Sequence, residues 1–128
     1  MKNLYTVCLC FAMFLSSGCA HSTASQKLDR SSGIDLSLVA KRYGVPSCQV
    51  SFPMTQEQAL ASIASDGAPS PESRPDWMDM SATIEQGDQL RRVVCLTKGY
   101  NGLAAGNIFY AVYRDGAIVA EMHPVIIN

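Results

Sequence analysis

Near the C-terminus two apolar runs, Ile108-Phe109-Tyr110-Ala111-Val112-Tyr113 and Ile118-Val119-Ala120-Glu121-Met122, flank Arg114-Asp115-Gly116-Ala117. Asp-Gly in so short a link accepts positive φ at both turn positions, which closes a type I′ hairpin whose twist matches that of the strands it joins. The C-terminal part of the chain is thereby committed to antiparallel sheet. Alternation through the turn predicts Phe109, Ala111, Tyr113, Ile118, Ala120 and Met122 on one face, almost wholly apolar, which helices must cover.

Two helices are legible upstream. Asp35 can cap a short one whose apolar positions Leu36, Val39, Ala40 and Tyr43 follow helical spacing, with Gly44 and Pro46 to stop it. Thr55-Gln56-Glu57-Gln58 has the capping-box form and predicts a second, burying Ala59, Leu60, Ile63 and Ala64 and ending at Gly67. Between them Ser47 to Phe52 alternates, with Cys48, Val50 and Phe52 on one side of a half-buried strand. The proline-rich stretch from Ala68 to Pro75 reads as a surface loop. Met80 to Gln86 and Gln89 to Thr97 then read as strands about Gly87-Asp88. The fold class expected is α+β: two short helices packed on an antiparallel sheet of four or five strands, with one disulfide.

The first residues have a different character. Met1-Lys2 precedes an apolar stretch from Leu4 to Leu15, and twelve residues of helix reach only about 18 Å, against roughly 30 Å for a hydrocarbon core. That is a signal-peptide layout rather than a membrane span. The following Phe14-Leu15-Ser16-Ser17-Gly18-Cys19 resembles the lipobox of bacterial lipoproteins, with Ser16 where the commonest form has leucine. The resemblance implies removal of residues 1–18 and lipidation of Cys19, which would hold the domain at a membrane. Ala20, rather than Asp, follows that cysteine, which by the enterobacterial sorting rule favours the outer membrane, facing the periplasm. The alternative is a secreted protein cut after Gly18 or Ala20, with Cys19 left as a thiol. Residues 19–33, rich in Ser and Thr, read as a flexible tether, and 34–128 as a single α+β domain.

Sorting the cysteines follows from the leader. Of five, Cys8 and Cys10 leave with it and Cys19 takes the lipid, so Cys48 and Cys95 remain as a pair. An oxidising compartment favours a structural disulfide between them; free buried thiols, or redox or metal work, are the other readings. No C-x-x-C and no metal-ligand histidine spacing accompanies either. Charge is nearly balanced, 10 basic against 11 acidic residues, so no basic field for nucleic acid exists.

Candidate chemistry is sparse. His21 falls in the tether, where no rigid shell could hold it, and His123 at the end of the last strand before Pro124, where a lone histidine reads as a surface or hydrogen-bonded residue. Trp77, between Asp76 and Asp79, is either a partner contact or a lid on the core. Tyr100 lies in the glycine-rich stretch from Gly99 to Gly106, which lacks the Lys-Ser or Lys-Thr and the following helix of a phosphate loop. These features lead us to expect no enzyme, no cofactor and no metal. The expected role is a lipid-anchored, non-enzymatic interaction or structural module with another envelope protein as partner. Met54-Thr55-Gln56-Glu57-Gln58-Ala59-Leu60 and Tyr113-Arg114-Asp115-Gly116-Ala117-Ile118-Val119 are similar to segments of the small lipoproteins that accompany outer-membrane barrel assembly. A periplasmic inhibitor of a hydrolase such as a lysozyme, using Trp77 or the loop at 99–106, is the competing role.

Overall fold

In the computed structural model, which describes residues 27–98 and 104–127, the hairpin turn has the expected backbone: φ is 51° at Asp115 and 79° at Gly116. In chain order the elements are α1 (Ser37–Tyr43), β1 (Gln49–Val50), α2 (Gln56–Ser65), a 3-10 turn (Pro71–Ser73), α3 (Pro75–Ala82), β2 (Gln89–Lys98), β3 (Ala104–Arg114) and β4 (Ala117–Ile127). The strands form one four-stranded sheet in the order β1-β2-β3-β4, each neighbouring pair antiparallel. The architecture is therefore α+β, with three helices where two were expected.

Both faces of the sheet are buried. On one face, Val39 and Ala40 of α1 pack with Val50, Val93, Phe109 and the Cys48–Cys95 pair. On the other, Ala59 and Ile63 of α2 and Trp77 and Met80 of α3 pack with Tyr110 and Met122. The unbroken apolar run of β3 explains the arrangement: Phe109, Ala111 and Tyr113 point one way, Tyr110 and Val112 the other, and all five are buried. A strand that is greasy on both sides needs helices on both.

Two helix ends follow their sequence signals, whereas α1 starts one residue late for the expected Asp35 cap: its N-cap is Leu36, with no side-chain cap bond, and Asp35 accepts from the Ser37 amide at 2.9 Å. At the start of α2 the Thr55 hydroxyl accepts from the Gln58 amide at 3.1 Å, and the Gln58 side chain accepts from the Thr55 amide at 2.9 Å, which completes the capping box. Gly44 closes α1 in the left-handed conformation, with φ 63°.

Several expectations are corrected. Met80 does not open a strand, because Pro75–Ala82 is helical: Pro75 occupies the first turn, where its missing N–H costs nothing, and Trp77 and Met80 turn inward three residues apart. The proline stretch is likewise not wholly superficial, since Ala68 and Pro71 are buried. In α2 Ser62 is buried and Ala64 exposed, the reverse of the stripe read from sequence. Phe52 is 48% exposed and belongs to neither core, because regular pairing of β1 ends at Val50. Ala104 to Gly106 belong to β3 rather than to a loop.

The hairpin face is also split. Tyr113 pairs with Ile118 but Val112 with Ala120, so Val119 is an extra residue, and a second irregularity lies between Ile108 and Tyr110. A one-residue slip sends every later side chain to the opposite face. Ile118 accordingly packs on the α1 side, whereas Ala120 and Met122 pack with α2 and α3.

Finally, residues placed in the tether are part of the fold. Leu28 forms a β-bridge with Ser51, and the Asp29 amide donates to the Val50 carbonyl at 2.8 Å. The arm from Lys27 to Leu36 thus lies along the outer side of β1, so the domain boundary expected at 33/34 falls earlier among the described residues.

Candidate functional site

The feature that organises this edge is a charged residue in a core position. On β2, Arg91 shares the α1 face with Val93 and Cys95, and it is only 4% exposed. A buried guanidinium must have its donors satisfied. Arg91 Nη1 donates to Asp29 Oδ2 at 2.8 Å and to the Ser51 carbonyl at 2.8 Å, while Nε and Nη2 donate to Gln89 Oε1 at 3.1 and 2.8 Å. Asp29 Oδ1 in turn accepts from the amide and hydroxyl of Ser31, at 3.0 and 2.9 Å. The Arg91 hydrogen bond holds the Asp29 carboxyl below its ordinary range, burial opposes it, and the Ser31 bonds add to the lowering. The arm is therefore fastened by charge as well as by backbone pairing.

Between the arm and β1 an open groove of about 460 Å³ is lined by Leu28, Arg30, Ile34, Asp35, Cys48 and Val50, among others. The lining is mixed: Leu28, Ile34, Leu36 and Val50 stand beside Asp29, Arg30, Ser32, Asp35 and Gln49. Cys48 contributes half of the Cys48–Cys95 disulfide, whose Cα atoms are 4.3 Å apart. Gln49 pairs with Val94, so these cysteines face one another across β1 and β2, a separation natural to a directly opposed, non-hydrogen-bonded antiparallel pair. The hydroxyl of Ser32, which also lines the groove, accepts from the Ile34 amide at 3.3 Å.

No family model, curated protein or solved structure matches the chain.

The other residues singled out from sequence are placed as follows. Cys19, His21 and Tyr100 lie outside the described residues, as do the leader and most of the Gly99 to Gly106 stretch. Trp77 is 5% exposed and part of the α2/α3 core, so its ring is packing material; its neighbour Met78, 57% exposed, is what α3 offers to solvent. Asp76 is clamped by Arg74 through bonds of 3.0 and 2.7 Å, and this pairing outweighs burial to lower its pKa.

His123 lies within β4 rather than at a strand end, because that strand continues to Ile127, and Glu121 two residues earlier shares its face, the signal by which the pair could have been found. The His123 ring stacks on Phe109 with centroids 4.9 Å apart, Nε2 lies 2.9 Å from Glu121 Oε2, and Nδ1 lies 3.4 Å from the Tyr43 hydroxyl. Arg42 of α1 reaches the other oxygen of Glu121 at 2.6 Å. Burial raises the Glu121 pKa, but the bonds from Arg42 and His123 outweigh it and hold the group below its ordinary range. The chain Arg42-Glu121-His123-Tyr43 joins α1 to β4 and closes that face. Its members are partners to one another, with no serine, threonine or cysteine hydroxyl or thiol bonded to the imidazole among the described residues.

On the opposite face Asp66, at the C-terminus of α2, accepts from Arg92 at 3.0 and 2.8 Å and from the Tyr110 hydroxyl at 2.7 Å. Ser62 Oγ lies 2.7 Å from the same hydroxyl. Burial foremost raises the Tyr110 pKa, and the neighbouring Asp66 adds to it. This network ties α2 to β2 and β3. Among the described residues no group of three or more His, Cys, Asp or Glu is placed to hold a metal ion, and no helix is long and apolar enough to cross a membrane.

Proposed function

We propose that the chain is the precursor of a lipid-anchored envelope protein. In this reading residues 1–18 are removed, Cys19 carries the lipid, and the α+β domain is a non-enzymatic interaction or structural module on the periplasmic side of the outer membrane. The observation that carries the proposal is the buried Cys48–Cys95 bridge, with Cys95 fully enclosed and Cys48 8% exposed. A small domain stapled in this way belongs in an oxidising compartment. The leader and the lipobox-like residues before Cys19 would deliver it to such a place.

The charged clusters are used structurally. Arg91-Asp29, Arg92-Asp66, Arg114-Asp88 and Arg42-Glu121 each spend their charge joining one element to another. Trp77 was a candidate contact in both the interaction-module and the hydrolase-inhibitor readings, and its position in the core removes that contact from both.

Membrane fractionation and detergent phase separation of the wild type and Cys19→Ser test the anchor. The wild type is expected in the membrane and the detergent phase, and the variant in the aqueous phase or retained as precursor. Wild-type protein in the aqueous phase would contradict the proposal. Affinity capture from solubilised envelopes tests the role: a barrel or secretion component supports it, and a glycan hydrolase favours the inhibitor.

A further inference from the structure

Resting on the lipid-anchor reading above, we propose that the edge formed by Lys27-Leu28 and Phe52-Pro53 lies against the anionic bilayer in which the Cys19 lipid is inserted. The docked arm sets the geometry. Leu28 is fixed to Ser51 by a β-bridge, and the Phe52 amide donates to the Lys27 carbonyl at 3.2 Å, so these two segments are side by side. From Cys19 to Leu28 is nine residue steps, which at no more than about 3.6 Å each span at most roughly 32 Å. A leash counted to residue 34 would be longer by six residues. The edge nearest the bilayer is thus the one from which the leash departs.

That edge has the composition of a surface that rests in headgroups. Phe52 is 48% exposed, Leu28 36%, and Pro53 is exposed beside them. Lys27 and Arg30 are exposed and, among the described residues, have no ion-pair partner, whereas Asp29 between them is turned inward onto Arg91. The remaining acid of the arm, Asp35, accepts from the Ser37 amide at 2.9 Å at the start of α1. Apolar side chains at the acyl boundary with cations at the phosphates is the pattern of interfacial binding, and each reinforces a single lipid anchor. The sheet then stands with β1 nearest the membrane. β4 is three strands away, roughly 14 Å at about 4.8 Å per strand, and faces outward.

The test uses the lipidated protein in vesicles of phosphatidylcholine and phosphatidylglycerol, with and without bromine on the acyl chains. A tryptophan is introduced by Phe52→Trp or, on β4, by Val119→Trp. Both positions are exposed, and buried Trp77 is a background common to both. Bromine is expected to reduce the added emission of Phe52→Trp at least twofold and to leave that of Val119→Trp unchanged. Equal quenching of the two, or stronger quenching of Val119→Trp, would overturn the orientation. Adding Lys27→Glu and Arg30→Glu to Phe52→Trp should abolish the difference while the protein still floats with the vesicles; undiminished quenching would remove the anionic-lipid contact. Failure of the wild type to float would sink the anchor itself, an outcome distinct from floating with Phe52→Trp unquenched.

Discussion

Arg91 and Asp29, 62 residues apart in the chain, meet at 2.8 Å with their side chains 4% and 6% exposed. This contact joins the arm to the central part of the sheet, and it converts residues that look like linker into structure. Breaking such a pair from one side leaves the other charge buried without compensation.

Asp29→Asn is therefore expected to lower the denaturant midpoint at neutral pH and to change its acid dependence. The carboxyl has a lower pKa folded than unfolded, so its contribution is complete above the unfolded value near 3.9 and is lost as pH falls through the folded one. Asp88, held at about 2 by Arg114 and the Glu85 amide, adds to the same limb. Below about pH 4 the wild type should lose stability more steeply than Asp29→Asn; parallel acid limbs would contradict the assignment.

The disulfide closes a long loop, its cysteines standing 47 positions apart in the chain. In the chain-entropy treatment a loop of this length stabilises by about 4 kcal/mol. Cys48→Ala with Cys95→Ala should lose a comparable amount in denaturant titration, and non-reducing peptide mapping of the wild type should recover the two cysteines joined. Two alkylatable thiols in native protein would refute the bridge.

Two tyrosines of β3, three residues apart and on opposite faces of the sheet, should respond oppositely to the same substitution. Among the described residues the buried Tyr113 hydroxyl has no hydrogen-bond partner, and burial pushes its pKa up to about 12. Tyr113→Phe removes that unsatisfied group and should stabilise by about 1 kcal/mol. Tyr110→Phe instead takes a hydrogen bond from Asp66 and should destabilise by about 1–2 kcal/mol. Chemical denaturation of both, with shifts of the same sign, would show that the hydroxyls are not distinguished in this way.

Much of the fold is written locally, and those parts were legible. Gly44 after the α1 stripe, the Thr55/Gln58 box and Asp115-Gly116 each determine their element within a few residues. The cysteine pair was legible because only two remain once the expected leader and the expected lipid site at Cys19 are set aside. What escaped depends on distant partners or on phase. Pro75 can stop a helix or start one, and the inward spacing of Trp77 and Met80 was the signal that it starts one. The extra residue at Val119 leaves no mark in composition, yet it moves Ala120 and Met122 to the other face. At the groove, Asp29 resembles any polar tether residue; the available clue was Arg91, a cation at an inward position of an apolar strand and therefore in need of a distant acid.

A Cβ on Gly106 would lie 2.1 Å from the Cys95 carbonyl oxygen, and φ there is 149°. Gly106→Ala must displace the β2–β3 pairing beside the disulfide and should cost more than the roughly 1–3 kcal/mol of backbone strain alone. Gly87→Ala, with positive φ and nothing within 4 Å, provides the comparison and should cost less. Equal destabilisation would mean that the close approach does not exist.

The most direct measurement is the intact mass of the mature protein recovered from its native cell. The account predicts a chain beginning at Cys19, heavier than the polypeptide by its lipid, with Cys48 and Cys95 oxidised. A chain beginning at Met1, with no added lipid and with free thiols at 48 and 95, would contradict it.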